Sequence, residues 1–252
     1  MNFKMNMITS TLLAAGFSLL AGSAAAQTCV ANNCAALGFT KSADNCEGDI
    51  IRCPFDTSKV FCKKVPKPGD ILYSDGTISD SVIASKTPVG IVAYVNGSNG
   101  FAVSLTEVSK QWATGYEDVS CLTNFNSSST AMMDMNGKTN TMCLVNYSSS
   151  YSYPAAEYCN TFSAVSNGKG SSGWYLPAAG ELYSMSFSYD AINLGLQKLS
   201  KTKISSSYYW SSSESYGGYG SNGRAWVVVP SDGYLTSYGK INSFPVRCVL
   251  AL

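Results

Sequence analysis

Histidine is missing altogether. That removes the commonest general base and the commonest metal ligand, which excludes Ser-His-Asp and Cys-His sites and most zinc sites. Charge is scarce too. Only 13% of the 252 residues are charged, and the formal net charge is +1. Such a chain has neither a basic face for nucleic acid nor an acidic field. Beyond the N-terminal stretch no apolar run is long enough for a transmembrane helix. No Ser-x-x-Lys motif with a supporting base stands out, and no Gly-rich loop follows a strand as a phosphate site requires. Nothing in the composition points to a cofactor or a metal.

What is present begins with an export signal. Lys4, the short apolar stretch "MITSTLLAAGFSLLAG" and "SAAA" before Gln27 read as a signal peptide over residues 1–26, cleaved after Ala26. The residues before Cys29 do not form a lipidation signal. The product is expected to be exported to the periplasm, the cell surface or the medium. Nine cysteines in such a compartment read as a disulfide framework with one left over. Five fall between Cys29 and Cys62, in a segment with too few apolar residues for a core of its own. Residues 27–64 therefore read as a small disulfide-rich module. A zinc knuckle is disfavoured there, because the segment has no Cys-x-x-Cys pair and no His. Cys34, Cys46, Cys53 and Cys62 supply two disulfides of open connectivity. Cys29 is the odd cysteine, either free or linking two chains into a dimer. "VPKPG" at 65–69 is a short stiff linker, and residues 70–252 form the main domain.

In that domain β-patterns dominate. "DILYSDGTIS" is a strand with an Asp-Gly turn, and "VGIVAYVNGSNGFAVSL" is a hairpin. Residues Gly115 to Asn146 read as polar loop. Pro154 opens a first helix with Ala155, Tyr158, Cys159 and Phe162 on one face. Pro177 is placed at the start of a second helix, and Asp190 caps a third. Short strands follow: "YYWSSS", then "AWVVVP" and "YLTSYG" around Ser231-Asp232-Gly233, then "FPVRCVL" as one closing strand. The class is α+β.

The stretch "YYWSSSESYGGYGSNGRAW", from Tyr208 to Trp226, is almost all Tyr, Ser, Gly and Asn. Tyrosine gives large contact area with few rotors, and Ser, Gly and Asn give adaptable hydrogen bonds. The composition suits a binding loop; a solvated loop is the plainer alternative. Trp174, Trp210 and Trp226 read as core. Glu181 reads as a helix N-terminal carboxylate, and Arg247 as a buried ion-pair residue.

"YCNTFS", "WYLPAAGEL", "YYWSSSE" and "AWVVVPSDGYLTSYGK" running into "VRCVL" occur in this order. Over about Gly69 to Leu252 the chain resembles the bacterial C-type-lectin-like domains of the collagen-like adhesin C-terminal (Lcl C-terminal domain) family. The resemblance implies two main helices with a curled, long-looped antiparallel sheet. It implies the disulfides Cys159–Cys248 and Cys121–Cys143. The Glu-Pro-Asn and Trp-Asn-Asp calcium motifs of sugar lectins are absent, so binding is expected to be calcium-independent. The chain also resembles retroelement-diversified variable proteins of this fold. Trp210, Trp226, Val228, Gly233, Leu235, Lys240 and Val246-Arg247-Cys248 match framework positions. Tyr216, Tyr219, Asn222, Arg224, Asp232, Tyr234, Thr236, Tyr238, Asn242 and Phe244 match the positions between them and form the candidate face for a protein or glycan ligand. An exported binding or adhesion protein without catalytic residues is the leading expectation. A structural envelope component is the alternative, and an enzyme of the formylglycine-generating type a more distant one.

Overall fold

The computed structural model describes residues 41–42, 49–54, 56–63, 65–97, 99–216 and 223–252. The expected signal peptide, Cys29, Cys34, Cys46, Tyr219 and Asn222 lie outside them. The chain divides into two compact units, Met1–Val65 and Pro66–Leu252.

The described part of the first unit is an antiparallel sheet of β1 (Lys41–Ser42), β2 (Asp49–Arg52) and β3 (Lys59–Lys63), in the order β1-β3-β2. Asp56 shapes the turn between β2 and β3. Its Oδ1 accepts hydrogen bonds from the Ser58 amide at 3.0 Å and the Ser58 hydroxyl at 2.6 Å, an aspartate serving as a local substitute for a backbone acceptor. Cys53 is buried and disulfide-bonded, and Cys62 faces Ile50 across the β2–β3 ladder.

The second unit is α+β. Its first strands are β4 (Ile71–Tyr73), β5 (Ile78–Ser79), β6 (Pro88–Asn96), β7 (Asn99–Ser104), β8 (Val108–Gln111) and β9 (Asn124–Phe125). Helices α1 (Ser128–Ala131), α2 (Gly137–Asn146) and α3 (Pro154–Thr161) follow, then β10 (Trp174–Tyr175), α4 (Ala179–Ser186) and α5 (Tyr189–Lys198). The chain closes with β11 (Tyr209–Ser215), β12 (Arg224–Val229), β13 (Tyr234–Gly239), β14 (Ser243–Val246) and β15 (Val249–Ala251). Three sheets result: β10-β15-β7-β6-β4-β5, β13-β12-β11-β9, and β14-β8.

Strand alternation sorts the apolar residues into two cores. Ile71, Ile91, Val103 and Val249 face one core with Ile192 and Leu196 of α5, and Trp226, Val228 and Leu235 join them. Their neighbours Leu72, Ala102 and Leu250 face the other, with Trp112, Trp174, Trp210 and Val227. Helix α5 sits close on β6 because Gly195 has no side chain: a Cβ there would lie 2.7 Å from the Gly69 carbonyl and 2.8 Å from Ile91 Cγ2. Two disulfides lock this unit. Cys159 on α3 joins Cys248, with Cα atoms 5.3 Å apart, and Cys121 joins Cys143 on α2 at 6.1 Å.

Several expectations are corrected. The segment Gly115–Asn146 is not all loop, since it holds β9, α1 and α2. Helix α2 buries Gly137, Asn140, Thr141 and Leu144, a mostly polar face without apolar periodicity. Its burial is satisfied by partners outside the helix: Thr141 Oγ1 accepts from the Leu176 amide at 2.9 Å, 35 residues on, and Asn140 donates to the nearby Asp134 Oδ2 at 2.9 Å. Pro177 precedes the second main helix, which starts at Ala179. Asp190 lies inside the first turn of α5, after the N-cap Ser188. The closing strand is two strands. Between β14 and β15, Arg247 and Cys248 break the ladder to make a buried ion pair and a disulfide.

Candidate ligand-binding face

The β12–β13 hairpin turns at Ser231-Asp232-Gly233. Gly233 has φ +73°, and a Cβ there would meet Ser186 Oγ and the Tyr183 ring at 2.9 Å. Only glycine meets both demands. Asp232 Oδ1 accepts from the Tyr234 amide at 3.0 Å, which fixes the entry into β13. From there the strand alternates: Leu235 is buried in the core, whereas Tyr234, Thr236 and Tyr238 lie on the other face.

On that face the aromatics gather. Tyr208 lies 5.1 Å from Tyr238, 5.9 Å from Phe244 and 6.5 Å from Tyr234, measured between ring centroids. Phe244 continues inward to Tyr238 at 5.0 Å and to the fully buried Trp210 at 5.1 Å. These are separations at which aromatic pairs attract. Trp210 is held by hydrogen bonds from its Nε1 to the Lys110 carbonyl at 3.1 Å and the Asn242 carbonyl at 3.3 Å. The cluster thus has a rigid base and an open edge, where Tyr234 is 56% exposed. An open groove of about 530 Å³ runs beside it, lined by Ser206, Ser207, Tyr208, Val229, Asp232, Tyr234, Phe244 and Pro245. The Tyr238 hydroxyl beside Tyr208 raises the Tyr208 phenol above its usual pKa.

Among the described residues the sequence-predicted positions fall into two groups. Asp232, Tyr234, Thr236, Tyr238 and Phe244 come together. Tyr216 does not join them. The register pairs Val229 with Tyr234 at one end of β12 and Arg224 with both Ser215 and Gly239 at the other. Five residues of strand, about 17 Å at ~3.4 Å per residue, separate Tyr234 from the end where Tyr216 lies. There Tyr216 is 61% exposed, its amide held by the Phe125 carbonyl at 2.9 Å. Arg224 is half-buried and donates to the Ser237 carbonyl at 3.1 Å. Asn242 is exposed and closes its own turn on the Gly239 carbonyl at 2.8 Å. An antiparallel hairpin puts its turn and the start of its first strand at opposite ends, so Tyr216 stands apart from the aromatic cluster. Reading the segment alone also missed Tyr208, Ser206, Ser207 and Pro245. Two-residue alternation back from Trp210 was the signal available for Tyr208.

The indoles that bracket the segment are both buried, but on opposite faces. Trp210 pairs with Val227 in one core, and Trp226 pairs with Ser237 and packs in the other. Trp226 Nε1 donates to the Phe125 carbonyl at 3.3 Å.

Glu181 is a strongly perturbed carboxyl. It is buried at the start of α4, where Ala178 offers no capping oxygen. Its Oε2 takes the Ala178 amide at 2.8 Å, and Oε1 takes the Tyr175 hydroxyl at 2.9 Å. Burial pushes its pKa up to about 7, against the lowering by those hydrogen bonds and with a smaller push from Asp134. Ser213 completes the cap by accepting from the Ala179 amide at 2.9 Å. Glu181 borders a second cavity of about 400 Å³ with Tyr94, Asn96, Asn99 and Phe101, yet its oxygens are engaged in holding the helix. Arg247 is 2% exposed and donates to Glu107 at 3.1 Å and to the Thr202 carbonyl at 2.9 Å.

No family model and no curated protein matches this sequence. Among solved structures the chain is similar to a fimbrial protein from Bacteroides ovatus ATCC 8483, with a TM-score of 0.57 and 19% identity over 75% of this chain. The match covers 50% of that protein, so this chain spans about half of its length. At that identity the likeness is one of fold.

Proposed function

We propose that this chain is an exported ligand-binding protein of the adhesin kind, whose main domain has a C-type-lectin-like fold and binds without calcium. It acts by contact and turns over no substrate. The observation that carries this reading is the aromatic cluster of Tyr208, Tyr234, Tyr238 and Phe244, open at one edge and anchored on Trp210. Ordered tyrosines flanked by Ser206, Ser207 and Asp232 offer apolar faces beside hydroxyl and carboxylate hydrogen-bonding groups. That mixture suits a protein or glycan surface, and it is the composition that contact loops use. The two disulfides fit an oxidising compartment. Among the described residues no helix is long and apolar enough to cross a membrane. A fimbrial protein with a similar fold supports an adhesive role at the cell surface. Diversification of the C-terminal positions is part of the same proposal.

The test is a glycan and protein array probed with the exported chain, followed by titration of the strongest hit. Tyr208→Ala with Tyr234→Ala should weaken that binding by about thirtyfold or more, the ~2 kcal/mol of a central aromatic contact. The exposed Tyr234 adds little to stability, and Tyr208→Ala alone, checked by its melting temperature, separates the cost of losing the half-buried ring from the loss of binding. Unchanged affinity in the double variant, with or without EDTA, would move the site off this face.

A further inference from the structure

Lys240 and Glu214 are both 0% exposed, and the Lys240 Nζ is in direct contact with Glu214 Oε1. Neither reaches water. The Nζ also donates to the Glu117 carbonyl and lies 4.6 Å from the centroid of the buried Trp112 ring. The Val119 amide faces both Glu214 oxygens, at 3.3 and 3.2 Å. Backbone bonds fix the two ends further. The Lys240 amide donates to the Gly223 carbonyl at 2.9 Å, and its carbonyl accepts from Trp112 and Ala113 at 3.0 and 3.1 Å. The partner of Glu214 lies 26 residues on, across β12.

The other ion pairs among the described residues are of a different kind. Lys86–Asp75 is open to solvent, and in Arg247–Glu107 the carboxylate side chain is 24% exposed and the cation is a guanidinium. A guanidinium stays charged and is a poor nucleophile. A lysine shut away from water is the kind of amine that loses its proton and reacts.

We propose that Lys240 and Glu214 join in a self-formed intramolecular amide that staples β11 to the residue following β13. In the dry site the ammonium first passes a proton to the adjoining carboxylate, leaving a neutral amine beside a carboxylic acid. Burial drives both groups that way, lowering the Lys240 pKa and raising that of Glu214. The Nζ lone pair then attacks Glu214 Cδ, and the C–N bond forms as the carbonyl π pair moves onto oxygen. The Val119 amide is placed to support that oxyanion. Collapse of the adduct breaks one C–O bond. The departing hydroxyl takes a proton from the attacking nitrogen and leaves as water. Nothing is oxidised or reduced. The product has no charge to desolvate, which removes the standing cost of a buried ion pair. The staple spans the segment between β11 and β12 and holds the base of the candidate binding sheet.

The exported full chain, denatured and fully reduced, should have a mass one water below that of its sequence from the N-terminus found by peptide mapping. Trypsin should leave the bond after Lys240 uncut and yield a branched peptide joining residues 204–224 to residues 225–247. Lys240→Arg should restore the full mass and separate the two peptides. The wild-type measurement decides the matter even if that variant fails to fold. A wild-type chain at full mass, cut after Lys240 with residues 204–224 recovered unlinked, overturns the proposal.

Discussion

Glu181→Gln should change the pH dependence of stability in a direction fixed by where the carboxyl sits. In the folded chain Glu181 is buried and takes protons with a pKa of about 7, against 4.5 for an ordinary glutamate. The folded state therefore holds a proton that the unfolded state has released throughout that interval. Protonation favours folding there, so this contribution is fully present below 4.5 and is lost as pH rises through 7. Each tenfold change in proton affinity is worth ~1.4 kcal/mol, so the interval amounts to about 3 kcal/mol. Glutamine carries no such dependence. Its carbonyl oxygen can keep the Ala178 amide, and its NH2 can donate to Tyr175, whose hydroxyl turns to accept. The assay is urea unfolding of wild type and variant at pH 5, 6, 7 and 8 with disulfides intact. The variant should gain on wild type by about 2.5 kcal/mol between pH 5 and pH 8. Titrating groups away from this site act equally in both proteins and cancel in the difference. A difference that stays flat across the range would refute the reasoning, because it would mean the carboxyl is already ionised at pH 5.

Two further predictions concern stability alone. Trp226→Ala, at a 6%-exposed site that also holds the Phe125 carbonyl, should cost about 3 to 5 kcal/mol, read as a collapse of the thermal transition in circular dichroism. Breaking Cys159–Cys248, which closes 89 residues, should cost more than breaking Cys121–Cys143, which closes 22; chain entropy gives about 4.5 against about 3.5 kcal/mol, and paired Cys→Ser variants compared by urea unfolding test the order.

Local patterns were legible wherever a segment solves its own burial. The β6–β7 and β12–β13 hairpins carry alternating apolar runs around Asn- or Asp-Gly turns, and both form where the pattern puts them. Helix α3 begins at its proline. What could not be read depends on partners far along the chain. Helix α2 has no apolar stripe and is buried through Thr141, whose Oγ1 takes the Leu176 amide 35 residues on. The end of the chain looks like one strand because Val246 and Val249 are both apolar, yet each joins a different sheet.

The binding face was the hardest to place, and the reason lies in the composition. With charges this sparse, tyrosine serves as both core and surface residue, so its presence does not mark a side. Tyr208 and Tyr209 are neighbours with opposite fates. Tyr209 is 1% exposed, and its hydroxyl donates to Glu107 Oε2 at 2.8 Å. Tyr208 stands half-buried at the edge of the groove. A buried phenol needs a polar partner, and Glu107 supplies it from more than a hundred residues away. The same logic divides the predicted face. Tyr234 and Tyr238 share a side of β13 because they are two or four residues from each other and from Thr236. Tyr216, of identical chemistry, is carried by the register to the far end. Residue type narrowed the candidates, but only strand pairing decided which of them lie side by side.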